Sequence, residues 1–362
     1  MDTRTWFALV GVAVLAGGCG AVSQTPVPPS APSSLATPST SPTGSPAAAA
    51  PICTKLMPPW LVSAHGAADG APDPAGRIVF GQVHRMDDII GQAIAPLFSM
   101  DADGSDVRQI FNCELERPRV SPDGRRIAFS IAMDDNTWQL ATIAADGNDL
   151  RILTSTTGYA ETPDWSPDGT WLIYSHSPMQ CSRNPLCESL YESLWRINAD
   201  GSGGEQLKAA EVPADAMDWE PRLSPDGAEA LFVRSTPVDG YLWHITIRDL
   251  STGVDRPAHY DDRDVEHPDW SPDGRSIVYN VTPAGPIERA SATDILAAPV
   301  VLAGDATHGV YKPAYSPDGS RIVFGCDGGV CTMNADGSGV VELLRVAGVE
   351  FNHFDWGVVA TP

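Results

Sequence analysis

From Gly76 onward, short runs of β-branched and aromatic residues alternate with clusters of Pro, Asp, Gly and Ser. Arg77-Ile78-Val79-Phe80, Arg126-Ile127-Ala128-Phe129 and Arg321-Ile322-Val323-Phe324 are three such runs. Short apolar runs bounded by turn residues predict β-strands. The chain also repeats itself. Ser-Pro-Asp-Gly occurs at 121–124, 166–169, 224–227, 271–274 and 316–319, so its starts lie 45, 58, 47 and 45 residues apart. A large residue precedes every copy: Val120, Trp165, Leu223, Trp270 and Tyr315. A second marker recurs between copies, at Ala102-Asp103-Gly104, Ala145-Asp146-Gly147, Ala199-Asp200-Gly201 and Ala335-Asp336-Gly337.

Both markers are turn chemistry. Pro pre-sets φ for the second position of a β-turn, Asp tolerates the bridge region beside it, and Gly accepts positive φ. Two hairpins per period give four short strands, the content of one propeller blade. Incomplete copies bracket the complete ones. Asp73-Pro74-Ala75-Gly76 and the strand after it lack the aromatic strand before the turn, whereas Phe354-Asp355-Trp356-Gly357 lacks the hairpin after it. The chain is therefore predicted to be all-β, a six-bladed propeller over 76–359 whose first blade is closed by the C-terminal strand. About 47 residues fall in each blade, a normal size for such repeats. Closure of this kind removes the exposed edge of an open array.

Thr162-Pro163-Asp164-Trp165-Ser166-Pro167-Asp168-Gly169 and Glu266-His267-Pro268-Asp269-Trp270-Ser271-Pro272-Asp273-Gly274 read as Pro-x-Trp-Ser-Pro-Asp-Gly. This resembles the repeat of TolB-like six-bladed propellers, and the resemblance covers nearly the whole body. It implies the fold strongly and the activity weakly, because propellers host many functions. The family includes periplasmic protein-interaction modules, peptidase propeller domains and an oligogalacturonate lyase. The chain departs from the TolB pattern in lacking a second domain and in carrying the marks of a lipid anchor.

Those marks lie at the N-terminus. Residues 7–16 form an apolar run the length of a signal-peptide core, too short to span a bilayer, and the run ends in Leu15-Ala16-Gly17-Gly18-Cys19. Small residues before a Cys resemble a bacterial lipobox, which implies lipidation at Cys19 after removal of residues 1–18. Residues 20–51 hold no charge and eight prolines. Such a stretch has too little apolar surface to offset its ordering entropy, so 19–52 is expected to be a disordered tether, followed by a lead-in over 53–75.

The formal net charge of −23 and pI near 4.5 argue against binding nucleic acid or an anionic lipid surface through basic residues. With Cys19 set aside, an even set remains: Cys53, Cys113, Cys181, Cys187, Cys326 and Cys331. In an exported chain these read as disulfides, with Cys326 facing Cys331 across a hairpin, Cys181 and Cys187 bracketing a loop, and Cys53 and Cys113 left by elimination. The zinc alternative lacks a paired CxxC.

In propellers of this kind the strand before Ser-Pro-Asp-Gly is expected to line the central channel. The column before each Pro, or its equivalent, is Arg117, Thr162, Glu220, His267, Lys312 and His353; the column before that is Glu116, Glu161, Trp219, Glu266, Tyr311 and Asn352. From these the candidate ligand-binding set at the channel mouth is Glu116, Arg117, Glu161, Glu220, Glu266, His267, Tyr311, Lys312 and His353. If a divalent metal binds at all, His267 and His353 are its candidate ligands.

Other features read as structure. Residues 101–106 resemble a calcium loop but align with the hairpin marker. Residues 261–264 read as a solvated acidic loop, and Trp165, Trp270 and Trp356 as packing between blades. The insertion at 178–191 is a candidate recognition loop. No Gly-x-Ser-x-Gly, HExxH or phosphate loop is present, so no catalytic residue is assigned. The expectation is an exported, monomeric, lipid-anchored binding or scaffold module on the outer side of the cytoplasmic membrane or in the periplasm. Its expected partner is an envelope protein or cell-wall glycan, with no cofactor and no nucleic acid. The alternative is a metal-assisted polysaccharide lyase or hydrolase acting at the channel mouth.

Overall fold

The computed structural model describes residues 50, 51, 53, 76–84, 96–177, 192–211, 216–237, 240–258, 263–283, 285–304, 309–347 and 349–359. Cys19 and its tether, the 178–191 insertion with Cys181 and Cys187, and Asp261-Asp262 lie outside these residues. Every regular element described is a strand.

The first sheet is a meander of β1 (Arg77–His84), β2 (Leu97–Asp101) and β3 (Arg108–Phe111), and the C-terminal strand β24 (Val349–Gly357) pairs antiparallel with the free side of β1. A second meander runs through β12 (Met217–Leu223), β13 (Glu229–Ser235), β14 (Trp243–Asp249) and β15 (Asp255–Pro257). A third comprises β16 (Val265–Trp270), β17 (Ser276–Val281), β18 (Ile287–Ser291) and β19 (Val300–Ala303). The fourth comprises β20 (Val310–Tyr315), β21 (Arg321–Cys326), β22 (Gly329–Asn334) and β23 (Val341–Leu344).

Two further meanders are fused. β4 (Leu115–Val120), β5 (Arg126–Ala132), β6 (Trp138–Ala144) and β7 (Arg151–Ile152) share one eight-stranded sheet with β8 (Tyr159–Trp165), β9 (Trp171–Ser177), β10 (Ser193–Asn198) and β11 (Glu205–Gln206). The hydrogen bonding thus gives four four-stranded sheets and one of eight strands, where the repeat count predicts six separate sheets. The cause is a single parallel residue pair, Trp138 with Tyr159, between β6 and β8.

The Ser-Pro-Asp-Gly turns explain their own recurrence. Between β4 and β5 the Gly124 N–H donates to Ser121 O at 2.8 Å, and Ser121 Oγ donates to Asp123 Oδ1 at 2.7 Å. Asp123 Oδ1 also accepts the Arg125 N–H, while Ser121 Oγ accepts the Arg126 N–H. Gly124 sits at φ 70°, where a Cβ would be strained. The same turn joins β8 to β9, β12 to β13, β16 to β17 and β20 to β21.

Side chains alternate across each strand, so each sheet offers one apolar face to either neighbour. On β17, Ile277 and Tyr279 pack with Leu231 and Ile247, while Val278 packs with Tyr315 and Phe324. On β9, Leu172 and Tyr174 join Leu140 and Trp165, while Ile173 joins Leu223 and Phe232. The closing interfaces are Val79 and Leu97 against Leu115 and Phe129, and Phe80 and Phe351 against Ala314 and Val323. The innermost strands touch in cyclic order: β4 with β8, then β12, β16, β20, β24 and β4 again.

Two of the expected disulfides are present. Cys53–Cys113 pins the lead-in beside β4, and Pro51 bridges to Met133 next to it. Cys326–Cys331 crosses the hairpin between β21 and β22.

Candidate functional site

Each inner strand carries one irregularity at the same repeat position. The pairing register slips between Glu116 and Arg119, Glu161 and Asp164, Trp219 and Arg222, Glu266 and Asp269, and Tyr311 and Ala314. At each slip one non-glycine residue adopts left-handed φ: Arg117 (57°), Thr162 (53°), Glu220 (55°), His267 (55°) and Lys312 (54°), with His353 (55°) equivalent on β24. A proline follows the first five, which makes a helical-type φ still less favourable. Strain of this kind costs about 1–3 kcal/mol per residue and persists only where surrounding contacts enforce it. Those contacts come partly from the preceding meander. The Thr162 N–H donates to Ser130 Oγ at 2.9 Å, the His267 N–H to Glu220 Oε2 at 2.7 Å, and the Lys312 N–H to Asn280 Oδ1 at 3.2 Å. A bulge re-aims the side chain it carries.

These bulges bring most of the expected site residues together. Glu220, buried on β12, receives an ion pair from Arg117 and lies 2.8 Å from His267 Nδ1. That nitrogen is also 2.8 Å from Arg117 Nη1, so it either accepts from Arg117 or donates to Glu220. His267 Nε2 is 3.2 Å from Glu266 Oε1. Burial opposes ionisation of Glu220, but Arg117 and His267 outweigh it and hold the carboxyl far below its ordinary range. A second group lies beside the first: Lys312 Nζ is 3.4 and 3.5 Å from the ring nitrogens of His353, whose Nε2 is 3.9 Å from Glu116 Oε2. Burial, followed by the nearby Arg117 charge, lowers Lys312 to about 7. Burial and the Lys312 charge keep His353 well below the ordinary histidine value. Glu161 is pushed up to about 8 by burial and by Glu192 and Glu116. Glu192 itself rises to about 7, from burial and from Glu220.

Tyr311 does not join them. Its hydroxyl donates to Phe351 O at 3.1 Å and its ring packs against Phe354, so it belongs to the seam between β20 and β24. The two candidate metal ligands each face a cationic side chain: Arg117 at His267 and Lys312 at His353. Among the described residues, the donors grouped at metal-ligand spacing are Cys326, Cys331 and Glu342, and the two sulfurs are already joined in a disulfide.

A second ring, which the sequence reading passes over, sits one residue after each of these prolines and, on β24, after Phe354 in the equivalent place. Around the inner strands from β24 it reads Asp355, Arg119, Asp164, Arg222, Asp269 and Ala314, acid alternating with base until the last place. Arg119 Nη1 donates to Asp355 Oδ1 at 2.7 Å. Each Asp also accepts a backbone N–H from the next inner strand at 2.8 Å: Asp355 from Val120, Asp164 from Leu223, Asp269 from Tyr315. The neighbouring Trp reaches the other way, Trp165 Nε1–H to Arg119 O and Trp270 Nε1–H to Arg222 O. Burial raises Asp164 to about 7 and Asp269 to about 6, with Arg119 opposing in both. The signal was available in the repeat columns, because Arg119 and Arg222 stand where three copies carry Asp.

The two rings line a small open cavity walled by Arg117, Arg119, Arg222, Lys312, His267 and His353, with Pro118, Pro313 and Phe354 completing the wall. Five inner strands contribute to it.

No protein-family model matches the chain. An uncharacterised protein of Agrobacterium fabrum is 27% identical over 172 residues, which are 44% of this chain and 52% of that protein. The chain therefore spans about half the length of this curated relative. Among solved structures, TolB of Acinetobacter baumannii superposes with a TM-score of 0.61 at 16% identity, covering 78% of this chain and 66% of that one. A TolB candidate of Agrobacterium tumefaciens gives 0.51 at 18% identity, covering 74% and 88%. The fold is a TolB-like β-propeller.

Proposed function

We propose that the chain is an exported binding module of the cell envelope, a six-bladed propeller held to a membrane by lipid on Cys19, whose recognition site is the axial cavity. The six-blade reading counts β4–β7 and β8–β11 as two blades joined by the Trp138–Tyr159 pair. Its support is the closed order of contacts among the six inner strands. The likeness to TolB structures supports placement outside the cytoplasm, as do two disulfides among the described cysteines. The partner class remains an envelope protein or a cell-wall glycan.

One observation carries the binding reading over the lyase alternative. The cavity gathers polar side chains from five strands, and although Glu220 and Glu266 lie against His267, Arg117 also contacts its Nδ1 and Lys312 contacts both ring nitrogens of His353, so a divalent ion there would have to displace a cation. The test is retention of envelope proteins and soluble wall fragments by the immobilised full-length chain, beside an Arg117→Ala/His267→Ala variant. A component held by the wild type and released by the variant supports the reading. Equal retention by both, or metal-dependent cleavage of a polysaccharide by the wild type, overturns it.

A further inference from the structure

The cationic character of the cavity runs against the rest of the molecule. In a chain of net charge −23, the cavity wall holds Arg117, Arg119, Arg222 and Lys312 and no carboxylate residue. Elsewhere the fold matches its buried arginines fully. Within β12–β15, Arg234 donates to both oxygens of Asp218 at 2.6 and 2.7 Å and to Asp255 at 2.8 Å, and Arg248 holds both oxygens of Asp255 at 2.6 and 2.8 Å. At the cavity, Arg117, Arg119 and Arg222 each leave a buried Nε–H without an acceptor. An unmet buried donor is destabilising, so an acceptor supplied from outside is favoured there.

Ion pairing is uneven in the same place. Arg117 holds Glu220 and Arg119 holds Asp355, while Arg222 has Asp269 at 4.0 Å. Among the described residues no carboxylate oxygen lies within 4.0 Å of Lys312 Nζ, and its hydrogen-bond partners are the two nitrogens of His353. One ammonium and three guanidinium groups thus face a small space, and of the four only Lys312 has no carboxylate within 4.0 Å.

We propose that the axial cavity is a binding site for a single carboxylate group, carried at the end of the ligand that the module recognises. This deepens the binding reading above and rests on it. A carboxylate offers two acceptor oxygens in one plane, the shape a guanidinium fork accepts, and it would give the Lys312 ammonium the carboxylate partner it lacks within 4.0 Å. The space left between these side chains is far smaller than a pocket for a drug-sized ligand, so it takes an end group and not a whole large molecule.

The test is calorimetric titration of the purified full-length chain with sodium acetate, at ionic strength held constant by chloride. Acetamide serves as the uncharged isostere and inorganic phosphate as the dianion. Saturable acetate binding, absent for acetamide and weakened about tenfold or more by Lys312→Met, is expected. N-acetylglutamate amide and glucuronate, run in parallel, distinguish a peptide carboxylate from a sugar one. Acetamide binding as well as acetate, no saturation above the chloride control, or a folded Lys312→Met chain with unchanged affinity overturns the proposal. Phosphate binding tenfold tighter than acetate also overturns it. The acetate–acetamide comparison needs no variant, so a misfolded Lys312→Met does not block the test. Failure of acetate binding with partner retention intact overturns the carboxylate site alone. Acetate binding with equal retention by wild type and Arg117→Ala/His267→Ala overturns the module reading and leaves the site standing.

Discussion

At the scale of single residues, the ring places titratable groups where burial opposes their charge, and the sign of each effect can be worked out. Glu161 titrates near 8 in the fold against an ordinary value of 4.5, so between those values the folded chain binds the extra proton. Stability from this group is present at low pH and is lost as pH rises from about 4.5 through 8. Glu161→Gln, which stays neutral, is expected to be about 1–3 kcal/mol more stable than wild type at pH 8.5 and equal to it at pH 4, measured by urea unfolding. Lys312 runs the other way. Its folded value near 7 lies below the ordinary 10.5, so the unfolded chain binds more protons between the two and stability rises with pH there. The cost of the charged form is therefore fully present below pH 7. Lys312→Met is expected to raise stability by roughly 1–3 kcal/mol at pH 6 and by little at pH 10.5, even as it weakens carboxylate binding. A thermal melt at each pH checks this, and a destabilised variant at pH 6 would contradict the argument.

At the scale of elements, the repeat writes two kinds of contact, and they differ in cost. The turn Asp, such as Asp273, bonds only Ser271 and the Arg275 N–H within its own hairpin. The inner-strand Asp, such as Asp355, ties β24 to β4 through Arg119 and the Val120 N–H. Asp273→Ala is expected to cost about 1 kcal/mol, whereas Asp355→Ala strands a buried guanidinium and is expected to cost about 3–5 kcal/mol. Denaturant midpoints with unchanged slopes distinguish the two. Both contacts were open to sequence reading to different degrees. Ser-Pro-Asp-Gly is local, so its hairpin, the strand before it and the column through Arg117 and His267 could be read from spacing. The Arg119–Asp355 pair joins residues 236 apart in sequence, and the alternation of Asp and Arg shows only when the columns are written side by side. Tyr311 falls in the repeat column of Glu116, Glu161 and Glu266, and that spacing alone puts it at the channel. It turns aside because Gly325, paired with it on β21, has no Cβ where the ring lies. The fusion of two meanders through Trp138 and Tyr159 leaves no mark in the repeat.

At the scale of the whole molecule, closure decides whether these contacts can exist. β24 supplies the inner strand of the first sheet: Trp356 pairs with Ile78 and Asn352 with Gly81, and Phe351, Phe354 and Trp356 fill the core there. It also carries His353 and Asp355, one member of each ring. Removing residues 349–359 would leave β1 as an open, apolar edge and expose the seam between the last and first sheets. An exposed edge of this kind pairs with other chains. The interior is also cooperative around the circle, since each sheet's two faces are covered by different neighbours and loss of one interface uncovers two. The truncated chain is therefore expected to lose its cooperative unfolding transition and to elute at a higher mass than the intact chain. Light scattering behind size exclusion reads the mass, and calorimetry reads the transition. A monomeric truncation with an unshifted melting temperature would mean that β1 to β23 hold the ring unaided, and the C-terminal strand would then serve the cavity alone.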